Sequence, residues 1–116
     1  MKLKQLKFSD NYDKLRYRKV GKSFTTFRGY VPSKEVYYRE QTGRSLEILL
    51  GGEPLGTAKL LIVSTVWCSD LKEVEVKADT FLNWTCEDFC NLMKRFYRNE
   101  DPFLIRLDLV WEEVIE

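Results

Sequence analysis

The chain has 116 residues, of which 44% are hydrophobic, 32% charged and 14% aromatic. That is one domain's worth of ordinary globular composition, far from the disordered regime. Histidine is absent and cysteine occurs three times, an odd number, which argues against a zinc site, a Ser-His-Asp hydrolase and a disulfide framework.

The net charge of +1 conceals an asymmetry. Residues 1–28 carry Lys2, Lys4, Lys7, Lys14, Arg16, Arg18, Lys19, Lys22 and Arg28 against only Asp10 and Asp13. A basic segment followed by an acidic remainder suggests a face turned toward an anionic partner. No run of residues reaches the ~18 apolar positions of a membrane helix. The start, Met1-Lys2-Leu3-Lys4, lacks the apolar stretch of a signal peptide, so a cytoplasmic protein is expected.

In chain order, residues 2–8 predict a short strand. Ser9 or Asp10 predicts an N-cap, with a helix from Asn11 to Arg18 that ends before Gly21. Ser23 to Arg28 predicts a strand whose alternation puts Phe24, Thr26 and Arg28 on one face. Gly29 to Ser33 predicts a turn, and Glu35–Arg39 and Ser45–Leu50 predict strands flanking Gln41-Thr42-Gly43. Gly51-Gly52-Glu53-Pro54 is a strong turn signal. Thr57 to Trp67 is the longest β-branched run, apolar on both faces as a central strand requires.

Residues 69–83 carry no clear period. Thr85 to Arg98 predicts a helix, with Thr85 as cap, Asp88 at the capping-box position and Lys94, Arg95 and Arg98 at the negative end of the dipole. Its apolar stripe is Phe89, Leu92, Met93, Phe96 and Tyr97. Cys86 and Cys90 fall on one face of it as small hydrophobes. After Pro102, alternation from Phe103 to Trp111 predicts a last strand. The sum is one α+β domain over residues 1–116, with a mostly antiparallel sheet and two main helices. A sheet of this size avoids open edges by curling into a barrel.

The order of five short motifs resembles the activating-signal-cointegrator homology (ASCH) family. They are Leu6-Lys7-Phe8-Ser9, Gly21-Lys22-Ser23-Phe24-Thr25-Thr26-Phe27-Arg28, Leu55-Gly56-Thr57-Ala58-Lys59, Asp79-Thr80-Phe81, and Arg95-Phe96-Tyr97 followed by the strand from Leu104 to Trp111. The resemblance spans nearly the whole chain. It implies a small β-barrel related to the PUA fold, with a cleft beside Lys22, Thr26 and Arg28 that binds RNA or a nucleotide.

Some family members hydrolyse the amide of N4-acetylcytidine with a Lys, a Thr and a Glu, and others are linked to RNA cleavage. Lys22 and Thr26 take the first two places, with Lys22 one residue further from Arg28 than in the amidohydrolases. The glutamate's place is held by Ala78 to Leu82, where Asp79 is the nearest acid. Two readings follow. In the first, Lys22 and Arg28 hold a phosphate while Tyr30, Tyr37, Tyr38 or Trp67 stack on a base. In the alternative, Lys22 activates the Thr26 hydroxyl for attack on an acylated cytidine, with Asp79 as acid. Neither calls for a metal or a cofactor. A protein-interaction role is the third class, which an exposed apolar patch would favour.

Overall fold

The computed structural model describes residues 3–8, 15, 18–71, 86–98 and 100–115. The predicted helix over residues 11–18, the Thr85 cap and Asp79 lie outside these, apart from Leu15 and Arg18. The elements are β1 (Gln5–Phe8), β2 (Ser23–Gly29), α1 (Pro32–Glu40), β3 (Ser45–Leu50), β4 (Glu53–Trp67), a 3-10 turn (Cys68–Asp70), α2 (Cys86–Tyr97) and β5 (Phe103–Val114). The strands form one mixed sheet in the order β1-β3-β4-β5-β2. Among the described residues only the β1–β3 pairing is parallel. Among the described residues no helix is long and apolar enough to cross a membrane.

β4 occupies the centre of the sheet, as its apolar faces require. Its hairpin with β3 turns on Gly51 and Gly52, both at positive φ (57° and 84°), between the paired Leu50 and Glu53. Two consecutive left-handed residues make the turn whose twist matches a right-twisted hairpin. Irregularities at Ile48/Leu49, Thr57/Ala58 and Leu60/Ile62 interrupt the ladders. Such bulges bend strands and deepen the twist, so the sheet curls around its inner face.

That inner face holds the main core, to which every strand contributes: Leu6 and Phe8, Phe24, Ile48, Leu60, and Leu107 with Trp111 are examples. On the outer face a second cluster joins Phe27 and Leu104 to Cys68, Leu71 and Phe89 of α2. Burial of apolar surface at about 25 cal/mol per Å2 is what holds these layers together.

Two expectations need correction. The barrel is not closed among the described residues, because β1 and β2 are edge strands and no backbone ladder there joins them. The segment Glu35–Arg39 is not a strand but the middle of α1. Tyr37, Tyr38 and Val36 favour strands by propensity. Pro32 in the first turn and the Arg39–Glu35 ion pair at 2.8 Å, one helical turn apart, favour the helix instead. Val36, 59% exposed, gains nothing from a core that would have reversed the outcome. On α2 the apolar stripe stops early: Phe89 is buried, but Phe96 is 73% exposed.

Gly56 illustrates how tightly β4 and β5 run. Its φ is +144°, and a Cβ there would lie 2.0 Å from the Glu113 carbonyl oxygen. Gly56→Ala is expected to cost about 3 kcal/mol in urea denaturation. Gly43→Ala, at φ +82° with open space around it, should cost only about 1 kcal/mol.

Candidate functional site

β2 leaves the core one residue pair at a time. Phe24, Thr26 and Arg28 sit opposite Leu109, Leu107 and Ile105 of β5, so all three point to the inner face, as the alternation predicts. Phe24 stacks on Trp111, and Thr26 is 2% exposed. Arg28 is last in the row, where the apolar core gives way to the rim.

Because β2 and β1 are the two sheet edges, the curl brings them together. The Arg28 guanidinium carbon lies 4.6 Å from the centroid of the Phe8 ring on β1. This cation–π contact spans the gap that no ladder closes. The Nε and Nη2 atoms of Arg28 are buried and have no hydrogen-bond partner among the described residues. A buried ionic donor without an acceptor is an expensive arrangement, and one aromatic face offsets only part of it.

Tyr38, on α1, adjoins this guanidinium. Burial raises its phenol pKa above the ordinary value, and the Arg28 charge opposes that shift. The phenol is therefore neutral near pH 7, able both to donate and to accept. Tyr97 of α2 closes the other side. The Gly29 amide donates to its hydroxyl at 2.8 Å, which satisfies a free group on an edge strand. The lack of a side chain at Gly29 makes room, since a Cβ there would fall 2.4 Å from the Tyr97 ring.

Beyond Arg28 the same face continues as an aromatic strip. Tyr30 packs on Phe103 with ring centroids 4.7 Å apart, and Phe103 packs on Trp67 at 4.5 Å. Trp67 is 48% exposed. The Tyr30 hydroxyl donates to the Glu35 carboxylate, which raises the tyrosine's pKa. Glu35 in turn is held below the usual carboxylate range, first by the Arg39 guanidinium and then by Tyr30. Arg39 Nη1 also donates to the Val63 carbonyl at 3.1 Å. β3 pairs with β4 only as far as Lys59, so α1 takes over where the ladder stops.

The structure thus brings Arg28, Tyr38 and Phe8 together, with Tyr30 and Trp67 on the adjoining strip. Tyr37 packs edge-on against Tyr38. Lys22 stands elsewhere. It is exposed and precedes β2, with its carbonyl accepting from the Trp111 amide at 3.0 Å. At ~3.3 Å per strand residue its Cα is roughly 13 Å from that of Thr26 and roughly 20 Å from that of Arg28. Lys22 and Arg28 therefore lie near opposite ends of β2. Asp79 lies outside the described residues. A separate open hollow of about 290 Å3 at the end of α2 is lined by Lys94, Arg95, Arg98 and Glu100.

Phe8, Phe103 and Glu35 were not among the residues expected at the site. Pro32 followed by Glu35 and Arg39 at i,i+4 spacing was the signal for the helix that presents Glu35. Phe8 had no local signal, since its meeting with Arg28 depends on the curl of the whole sheet.

No family model matches this chain, and no curated protein matches it. Among solved structures, the fold is similar to the crystal structure of protein EF3133 from Enterococcus faecalis V583, described under the family DUF984. The TM-score is 0.54 at 15% sequence identity, covering 78% of this chain and 61% of that one. The chain spans about three-fifths of that protein's length, and the likeness defines the fold alone: α+β, a five-stranded mixed sheet with two helices.

An unpartnered buried guanidinium has a stability signature. Arg28→Met is expected to leave the unliganded fold at least as stable as the parent, with a gain of up to about 1 kcal/mol. Thermal denaturation without ligand checks this. A loss of about 2 kcal/mol or more would mean that Arg28 serves the fold.

Proposed function

We propose that this chain is an ASCH-type domain with a PUA-like, incompletely closed barrel, and that it binds RNA or a nucleotide at Arg28. The order of the five motifs supports the family reading, and the approach of β1 and β2 at Phe8 and Arg28 supports the barrel-like curvature. The observation that carries the function is the pair of buried Arg28 nitrogens without an acceptor. A phosphate oxygen or the acceptor edge of a base supplies what they lack, and a planar guanidinium engages either through two parallel bonds.

The neutral Tyr38 phenol offers a further donor or acceptor beside it. The Tyr30–Phe103–Trp67 strip presents ring faces for an unpaired base, the way single-stranded nucleic acid is held without reading its sequence. Lys22 and the other cations of the first 28 residues act at longer range, through the charge excess that attracts an anionic backbone.

Anisotropy titration of a labelled single-stranded RNA tests the assignment. Affinity should fall as salt rises. Arg28→Met should weaken binding by about tenfold or more, and Trp67→Ala by about fivefold or more. Lys22→Ala should change it by less than about threefold, mainly through the salt slope. RNA binding that is the same in Arg28→Met as in the parent would refute the proposal.

A further inference from the structure

The second core cluster holds two thiols that the binding site does not use. Cys68 opens the 3-10 turn at the end of β4 and is buried, and Cys90 lies on α2 and is partly buried. They are 22 residues apart in sequence, yet their Sγ atoms are 2.7 Å apart. The Cys90 Sγ also donates to the Cys68 carbonyl at 2.9 Å. Both are free thiols.

Packing by Phe27, Leu71, Phe89 and Leu104 holds them there, so the approach is built into the fold and not left to an exposed side chain. A disulfide needs its sulfurs at ~2.05 Å. The remaining movement is a fraction of an ångström.

We propose that Cys68 and Cys90 are a modification site, forming a reversible disulfide that fastens α2 to the end of β4. The oxidant is a small-molecule disulfide such as glutathione disulfide. The Cys90 thiolate attacks one sulfur of it, releasing one glutathione thiol and leaving a mixed disulfide on Cys90. Cys68 then attacks the Cys90 sulfur and expels the second glutathione. Two thiols are oxidised, one disulfide is reduced, and both protons end on the released thiols.

Cys90 is the entry point because it is the more accessible sulfur. Burial first, then the neighbouring Cys90, pushes the Cys68 thiol far above its ordinary pKa, which makes the second step slow and the closed form long-lived. The fastening has a reach. Tyr97 lies seven residues, about two turns, beyond Cys90 on α2, and its hydroxyl receives the Gly29 amide next to Arg28. Locking α2 therefore steadies the β2 edge beside Arg28.

The full-length chain is incubated with glutathione disulfide and its intact mass is read without reductant. The expected result is a loss of two hydrogens, reversed by dithiothreitol. Oxidation should also raise the thermal midpoint and slow hydrogen exchange at the Gly29 amide several-fold. No Lys or Arg separates Cys86 from Cys90, so tryptic mapping alone does not tell them apart. The Cys86→Ser variant should still close, and Cys90→Ser should not. Persistence of both thiols, a stable glutathione adduct, or closure lost in Cys86→Ser would overturn the proposal. None of these readouts depends on RNA binding, so a failure here is separable from a failure of the binding assignment.

Discussion

The molecule turns on how its sheet ends. Five strands give two edges, and an open edge is a liability that must be covered or paired. Here bulges in β4 and β5 curl the sheet until the β1 and β2 edges face one another, and the contact between them is made by side chains. The Arg28 guanidinium over the Phe8 ring stands where a closing ladder would be in a complete barrel. Because a cation–π contact uses the flat face of the guanidinium, it leaves the in-plane donors unspent. The gap that prevents closure is therefore also what places an ionic donor pair at the rim of an apolar core.

The surrounding elements follow from that gap. α1 bridges from β2 to β3 and covers the part of β4 that β3 does not pair, with Arg39 on the Val63 carbonyl and Tyr38 beside Arg28. α2 packs on the opposite face and sends Tyr97 around the β2 edge to the Gly29 amide. The surroundings of Arg28 thus draw on both helices and both edge strands. The Glu35 charge is matched by Arg39 and by the Tyr30 hydroxyl.

Local patterns were read correctly where one residue's environment is decided by its neighbours in sequence. The alternation Phe24, Thr26, Arg28 put the right side chains on the inner face. β4 was recognisable as central from its two apolar faces, and the two-glycine turn before it from its composition. The reading failed where tertiary context decides. The tyrosines and valine of α1 carry strand propensity, and the helix depends on Pro32 at its start and an ion pair that compete with it. Lys22 and Arg28 looked close because six residues is a short distance in sequence, but an extended strand makes it roughly 20 Å in space. The approach of Phe8, which supplies the ring beneath Arg28, required knowing which strands are edges. No sequence window contains that information.

The central claim is that the Arg28 donors exist to receive a ligand's acceptor. Nitrogen-15 spectra of the arginine side chains during titration with a short single-stranded RNA address it directly. The account predicts that the Arg28 Nε–H resonance shifts downfield and exchanges more slowly with solvent as RNA saturates the protein. An Nε–H signal that stays put while RNA binds would contradict it.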